Sequence, residues 1–215
     1  AQHPSHVVRE SDELLPQYVL KRLTETTQGR GIVVTGVGQH QMWAAQHCKF
    51  TEPNTFITSG GLGTMGFEVP AALGAQVGLP DTTVWSVCGD GGFQMTMCDI
   101  ATAVESGADV KFAILNNTNL GMVHQLQDVF FEKDFVASEF SANPDFVKIA
   151  EAYGIRGIRV TKKDEVVDAV QQAMETAGPV IVDFMVKEDE IVFPFIPSGQ
   201  SVNEMLEEPA PTETA

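Results

Sequence analysis

The chain has 215 residues, 43% of them hydrophobic, and a formal charge of −16. That apolar content closes the core of one large domain, while the acidic balance argues against nucleic acid or an anionic membrane as partner, since both reward basic surface. No apolar run approaches the ~20 residues of a membrane span. The first residues lack signal or transit character, and the cysteines, Cys48, Cys88 and Cys98, show no CxxC spacing, which suits a reduced, cytoplasmic protein with buried thiols.

No internal repeat is present, and helix and strand alternate along the chain. Pro16 suits the first turn of a helix over 16–27. A short buried strand over 31–35 ends in Gly36-Val37-Gly38, and helix resumes through 41–45. A second strand, 55–58, feeds the Gly-rich run 59–66, followed by a small-residue helix over 66–76. Strands over 83–87 and 110–115 flank a helix over 93–105. Helix is expected over 120–131, irregular chain over 132–144, and an amphipathic helix over 145–153 from the spacing of Phe146, Ile149, Ala150 and Tyr153. The strand 155–160, helix 164–176 and strand 180–186 complete the order. Such alternation predicts an α/β fold, a doubly wound parallel sheet flanked by helices.

Two polar clusters sit at predicted strand ends. Gly89-Asp90-Gly91 follows the apolar run from Thr83 to Cys88, and Asn116-Asn117 follows the run from Val110 to Leu115. Open α/β sheets place ligands at the carboxyl ends of their strands. Either cluster alone reads most simply as a turn or loop. Together they match the demand of a divalent cation bridging a diphosphate: Mg²⁺ prefers oxygen donors and takes few of them from protein. Three Gly-rich turns, 36–38, 60–66 and 89–92, let backbone amides approach an anion, although each alone is better explained as a helix cap. Gln41 occupies the third glycine position of a dinucleotide fingerprint, which weakens a nicotinamide reading.

The runs TGVGQHQMW (35–43), SGGLGTMGFEVP (59–70), GDGGFQMTM (89–97), NNTNLGMVHQ (116–125), PDFVKIAEAYG (144–154) and FPFIPSGQSVNEML (193–206) resemble, in order, the C-terminal thiamine-diphosphate-binding domain of acetohydroxyacid synthase (acetolactate synthase) large catalytic subunits. The resemblance implies thiamine diphosphate and Mg²⁺ as cofactors, with Asp90 and Asn117 as side-chain metal ligands and Asn119 giving its backbone carbonyl. Gly38, Gln39, His40, Gly89, Gly91 and Gly92 would line the diphosphate, and Val37 and Gly63 the aminopyrimidine. Met65 would hold the cofactor bent, while Gly121 and Met122 close over it; core packing is the plainer account of both methionines. Domain limits follow: a linker over 1–12, the thiamine-diphosphate/Mg-binding domain over 13–192, and a Pro-rich extension with an acidic tail over 193–215, placed over the cofactor mouth or a neighbouring subunit.

The implied reaction condenses pyruvate with a second 2-keto acid (pyruvate or 2-ketobutyrate) after decarboxylation on the cofactor, a transferase step in branched-chain amino-acid biosynthesis. No catalytic residue is assigned here, because the relay Glu of the family lies on another domain. The chain thus resembles the C-terminal third of a catalytic subunit, whether excised, proteolysed or half of a split enzyme, and is expected to be inactive alone. The implied partners are the remaining domains of the subunit, further copies in a homo-oligomer, and a small regulatory subunit. FAD use by the complete enzyme stays open, and this chain is not expected to bind it. Pyruvate oxidase, glyoxylate carboligase, a 2-keto-acid decarboxylase or a non-catalytic cofactor-binding module stay open as alternatives.

Three positions depart from the family pattern. Leu126 stands where many members carry Trp, which should weaken selection of 2-ketobutyrate. Glu68 replaces a common Gly and is expected to cap a helix at the surface. Gly92 replaces a common Ser. His124 and Gln125 are further candidates for facing substrate.

Overall fold

The computed structural model describes residues 8–208. Six strands, β1 (Ile32–Thr35), β2 (Phe56–Thr58), β3 (Val84–Gly89), β4 (Val110–Asn116), β5 (Arg156–Val160) and β6 (Val180–Met185), form one sheet in the order β2-β1-β3-β4-β6-β5. Every pairing is parallel. Eight α-helices connect or flank them: α1 (Pro16–Thr26), α2 (Gln39–His47), α3 (Glu68–Gly78), α4 (Asp90–Thr96), α5 (Ile100–Ser106), α6 (Gly121–Phe130), α7 (Phe146–Ala152) and α8 (Val166–Glu175).

The helix expected over 93–105 is two helices. α4 starts earlier, at Asp90, and a 3₁₀ turn over Met97–Asp99 separates it from α5. At the break Thr96 leaves helical geometry with φ −133°, and its hydroxyl donates to the Gly66 carbonyl at 2.7 Å, tying α4 to the turn before α3.

Parallel strands are covered on both faces and so read as near-continuous apolar runs. Alternate side chains then separate into two cores. Val33, Trp85, Val87, Ala113, Leu115, Val182 and Phe184 pack with Leu20 and Leu23 of α1, Trp43 of α2 and Val170 of α8. Ile32, Val34, Val84, Cys88, Phe112, Ile114 and Ile181 pack on the other face with Val69 of α3, Phe93 of α4, Ile100 of α5 and Phe146 of α7. Phe93 meets Phe112 and Phe146 edge-on, at 5.9 and 5.5 Å between ring centres, the arrangement aromatic quadrupoles favour. Of the cysteines expected to be buried, Cys48 and Cys88 are, and Cys98 is exposed; all three are free.

The strand order fixes where a ligand can enter. From β1 the chain moves to β2 on one side and then returns to β3 on the other, leaving a crevice at the carboxyl ends of β1 and β3. Register carries this to the next strand, since Gly89 pairs with Leu115. Asp90 and Asn116 therefore leave the sheet at the same level. Among the described residues, no helix is long and apolar enough to cross a membrane.

Helix α7 approaches the edge strand β5 closely at Gly157. A Cβ there would stand 2.9 Å from the Val147 backbone and 3.0 Å from the Ala150 side chain. Gly157→Ala is expected to push α7 away and cost roughly 1–3 kcal/mol, the range for overpacking. A urea midpoint unchanged from the native chain would show that the helix yields freely.

Candidate cofactor site

A cavity opens at the crevice. Its walls include Val37, Gly38, Gln39, His40 and Trp43 from the β1–α2 turn and α2, together with Met65 from the loop before α3. Gly89, Asp90, Gly91 and Gly92 contribute the end of β3 and the start of α4. The loop after β4 and α6 supply Asn117, Asn119, Leu120, Gly121, Met122 and Val123. The structure thus brings together the Asp, both Asn residues and most of the glycines singled out from sequence. Gly63 is the exception: it lies in an exposed loop at φ 65°, with nothing within 4 Å of where its Cβ would be.

The glycines on these walls are there for space. A side chain on Gly89 would meet the His40 ring at 3.0 Å, and one on Gly91 would meet Leu120 at 2.8 Å and Met65 at 3.0 Å. A Cβ on Gly121 would overlap the Gln39 amide.

Asp90 is buried, and desolvation pushes its carboxyl up to about 6. Oδ1 accepts from the Gly91 amide at 2.9 Å, and Oδ2 accepts from Asn143 Nδ2 at 2.7 Å. Asn143 also donates to Asn116 Oδ1 at 2.9 Å and accepts from Gln94 at 3.0 Å. Asn116 in turn donates to the buried Asp183 at 2.9 Å. Asn143 escaped the sequence reading because it lies in irregular chain, and only the fold returns that loop to the end of β3.

The loop after β4 is strained where it turns. Thr118, a β-branched residue, sits at φ 57°, a conformation costing of order 1–3 kcal/mol and found mainly at functional sites. It separates Asn117 from Asn119. The Asn117 amide nitrogen donates to Gln39 Oε1 at 3.2 Å, so its oxygen is the uncommitted end. Asn119 donates its side-chain amide to the Glu188 carbonyl at 3.1 Å. The bridge between Asn119 and Glu139 runs through Leu120 N to Ser138 O and Phe140 N to Thr118 O, so it does not use the Asn119 carbonyl.

Gln39 ties three segments together. Its Nε2 donates to Gln125 Oε1 at 2.9 Å and to the Glu190 carbonyl at 2.7 Å. Gln125 is buried in this role and also accepts from Val192 N at 2.9 Å, so it braces the wall rather than facing substrate. His124 stacks on Phe135 at 4.0 Å and faces Glu139, away from the cavity walls. Leu126 is partly exposed on α6 and is not part of the walls either. The described part of the C-terminal extension folds back on the chain: Gln46 of α2 donates to the Pro194 carbonyl at 3.1 Å, and Phe195 meets Phe130 of α6 edge-on. None of its residues lines the cavity.

Glu68 corrects the expectation of a surface cap. Its side chain is 0% exposed, it makes no capping hydrogen bond, and neither carboxyl oxygen is within hydrogen-bond geometry of a donor among the described residues. The carboxyl fills the space between Gly36 and Gly92, where a Cβ on either glycine would overlap it. The departures at Glu68 and Gly92 are therefore one steric unit. Burial pushes the Glu68 carboxyl up to about 7, with the nearby amides of Gly66 and Glu68 itself offsetting part of that cost. Its neighbour His40 is also buried, which lowers the imidazole to about 4.

Among the described residues, no group of three or more His, Cys, Asp or Glu side chains is placed to hold a metal. A site built on one carboxylate with amide and carbonyl oxygens is of a different kind, and suits a hard cation that keeps ligand and water oxygens.

Residues 36–184 match the family described as "Thiamine pyrophosphate enzyme, C-terminal TPP binding domain". The chain is 45% identical over 197 residues to an acetolactate synthase of Mycobacterium bovis, covering 89% of this chain and 32% of that protein. It is 47% identical over 195 residues to an acetolactate synthase large subunit of Corynebacterium glutamicum, covering 88% and 31% respectively. Against the acetolactate synthase isozyme 2 large subunit of Escherichia coli it is 43% identical over 196 residues, covering 91% and 36%. The chain spans about a third of the length of these relatives. With its parallel sheet and a glycine-walled cavity at the switch point, the chain belongs to the thiamine pyrophosphate enzymes and carries their C-terminal TPP-binding domain.

Proposed function

We propose that this cavity holds Mg²⁺ and the diphosphate of thiamine diphosphate, and that the chain is the cofactor-binding portion of an acetolactate synthase. The observation carrying the proposal is the convergence of Asp90, Asn117 and Asn119 on one glycine-walled cavity. The residues suit the group. Asp90 is a buried carboxylate whose ionisation needs a counter-charge, Asn117 has a free amide oxygen, and Asn119 has a carbonyl outside its bridge. A bound divalent cation would reverse the effect of burial and hold Asp90 ionised at neutral pH.

When bound, thiamine diphosphate supplies a carbon nucleophile and an electron sink for decarboxylating a 2-keto acid. The chain's residues do the holding. Asp90, Asn117 and Asn119 would bind the cation, with Asn143 fixing the Asp90 carboxyl and Gln39 fixing Asn117. Glycine at 38, 89 and 92 would let phosphate oxygens approach the backbone closely, while the Gly91 amide is already engaged by Asp90. Met65, Leu115, Leu120 and Val123 give an apolar lining that limits water.

The cavity measures about 180 Å³, below the roughly 300–1,000 Å³ of complete small-molecule pockets. Part of a two-ring cofactor would therefore lie beyond it, against walls from other domains or another copy of the chain. The only carboxylate on the described walls is Asp90, which is committed to the cation in this reading. Turnover of pyruvate and a second 2-keto acid therefore draws its acid–base group from elsewhere in the assembly. Three free thiols support a reducing, cytoplasmic setting.

Calorimetric titration is expected to show thiamine diphosphate binding the chain only with Mg²⁺. Asp90→Ala should abolish the Mg²⁺ dependence, and Asn143→Ala should weaken cation affinity ~10–100-fold, as for other partners of metal ligands. Equal binding without Mg²⁺, or by Asp90→Ala, would overturn the reading. The 215-residue chain alone is expected to yield no acetolactate from pyruvate, and robust formation without another polypeptide would contradict the shared-site proposal. In the complete enzyme, Leu126 should leave little preference for 2-ketobutyrate over pyruvate, because a methylene in an apolar pocket is worth only ~1–3 kcal/mol. Competition between the two acids checks this, a strong excess of acetohydroxybutyrate being the adverse result.

A further inference from the structure

Glu68 and His40 face each other behind the cavity wall. His40 Nε2 stands 4.0 Å from Glu68 Oε1, and neither atom has a hydrogen-bond partner among the described residues. Both side chains are more than nine-tenths buried. The gap is about 1 Å beyond a hydrogen bond, which a small rotation of either side chain closes. The opposite edge of the ring points elsewhere. Side chains at Gly38 or Gly89, both on the cavity wall, would meet His40 Nδ1 at 3.0 Å. His40 therefore stands between a buried carboxyl on Nε2 and the ligand cavity on Nδ1.

Imidazole chemistry makes that placement consequential, because the group bonded to one nitrogen decides what the other can do. With Glu68 ionised, its carboxylate accepts from Nε2–H, and Nδ1 turns a lone pair to the cavity. With one further proton on the pair, Glu68 donates to Nε2, or Nε2 keeps the proton beside a carboxylate. In either arrangement Nδ1 carries a hydrogen facing the cavity and the pair is neutral overall. Only this second state offers an anion a donor instead of a lone pair.

We propose that Glu68 is a positioning residue for His40, and that the proton it shares with Nε2 sets whether Nδ1 donates to a diphosphate in the cavity. This rests on the reading of the cavity given above. Binding a diphosphate selects the protonated pair, so above neutrality it takes up one proton from solvent. The raised carboxyl places the change near pH 7. Other titratable groups on the surrounding elements do not duplicate the effect. Cys88 on β3, whose thiol burial holds far above its usual range, stays neutral throughout. Asp90 on α4 is kept in both forms of the protein compared below.

The test compares the native chain with Glu68→Gln, whose amide can donate to Nε2 permanently and fits the same space between Gly36 and Gly92. In ligand-free protein, ¹⁵N side-chain spectra should show the His40 proton on Nδ1 at pH 6 and on Nε2 at pH 8.5, whereas Glu68→Gln keeps it on Nδ1 at both. Calorimetry with Mg²⁺ and inorganic pyrophosphate in buffers of different ionisation enthalpy should find about one more proton taken up by the native chain at pH 8. Between pH 6 and 8.5 native affinity should fall about tenfold or more relative to Glu68→Gln, tenfold per pH unit being the limit for one proton. A native His40 tautomer that does not change with pH, or equal proton uptake by both forms, would overturn the proposal. The tautomer measurement needs no variant. If the tautomer switches but neither form binds pyrophosphate, the link between Glu68 and His40 stands and the diphosphate reading fails.

Discussion

A carboxylate removed from water at the end of a central strand is the constraint around which this molecule is arranged. Asp90 is buried and directly follows β3. Ionising such a group without a counter-charge is expensive, and the Gly91 amide and Asn143 meet only part of that demand. In the reading proposed above, a divalent cation in the adjoining cavity would meet the rest. The polar chain running from Asn143 through Asn116 to Asp183, and on through Arg159 to Asp145, anchors the carboxyl to β4, β6 and α7. A group held from several elements is oriented before any ligand arrives.

The same logic governs the opposing wall. Asn117 and Asn119 flank Thr118, whose unfavourable backbone conformation is maintained by bonds from Leu120 to Ser138 and from Phe140 to Thr118. Gln39 crosses from α2 to grip Asn117, and is itself held by Gln125 and the Glu190 carbonyl. Much of the polar side-chain chemistry near the cavity thus goes into bracing, and backbone amides and a few oxygens are left to meet a ligand. This division suits a diphosphate, which needs many weak donors at fixed positions more than one strong charge.

Glu68 shows how a local departure from a family pattern can be absorbed. Its carboxyl occupies space that exists only because positions 36 and 92 are glycines, and it meets a histidine whose buried Nε2 also makes no hydrogen bond among the described residues. A carboxylate in a first helical turn is ordinarily solvated and favoured by the dipole, so sequence alone points to a surface position. The turn of chain at Gly66 directs that first turn inward, against β1 and α4. A helical position tells nothing about which way the helix faces.

The sequence alone determined the order of strands and helices, because buried parallel strands are apolar runs and their ends are marked by glycine and by Asp90 or Asn116. It also identified most residues of the cavity, since the glycines and oxygen donors cluster at those ends and carry the family's motifs. What tertiary structure decided was partnership. Asn143 joins Asp90 across irregular chain, Gln125 turns to Gln39, His124 turns away, and Gly63 lies outside the cavity. Such contacts depend on how separate elements are oriented after they pack. Local periodicity encodes which residues form an element and which face is apolar, but the partners a buried polar group finds are fixed only when the sheet order and loop paths bring distant residues together.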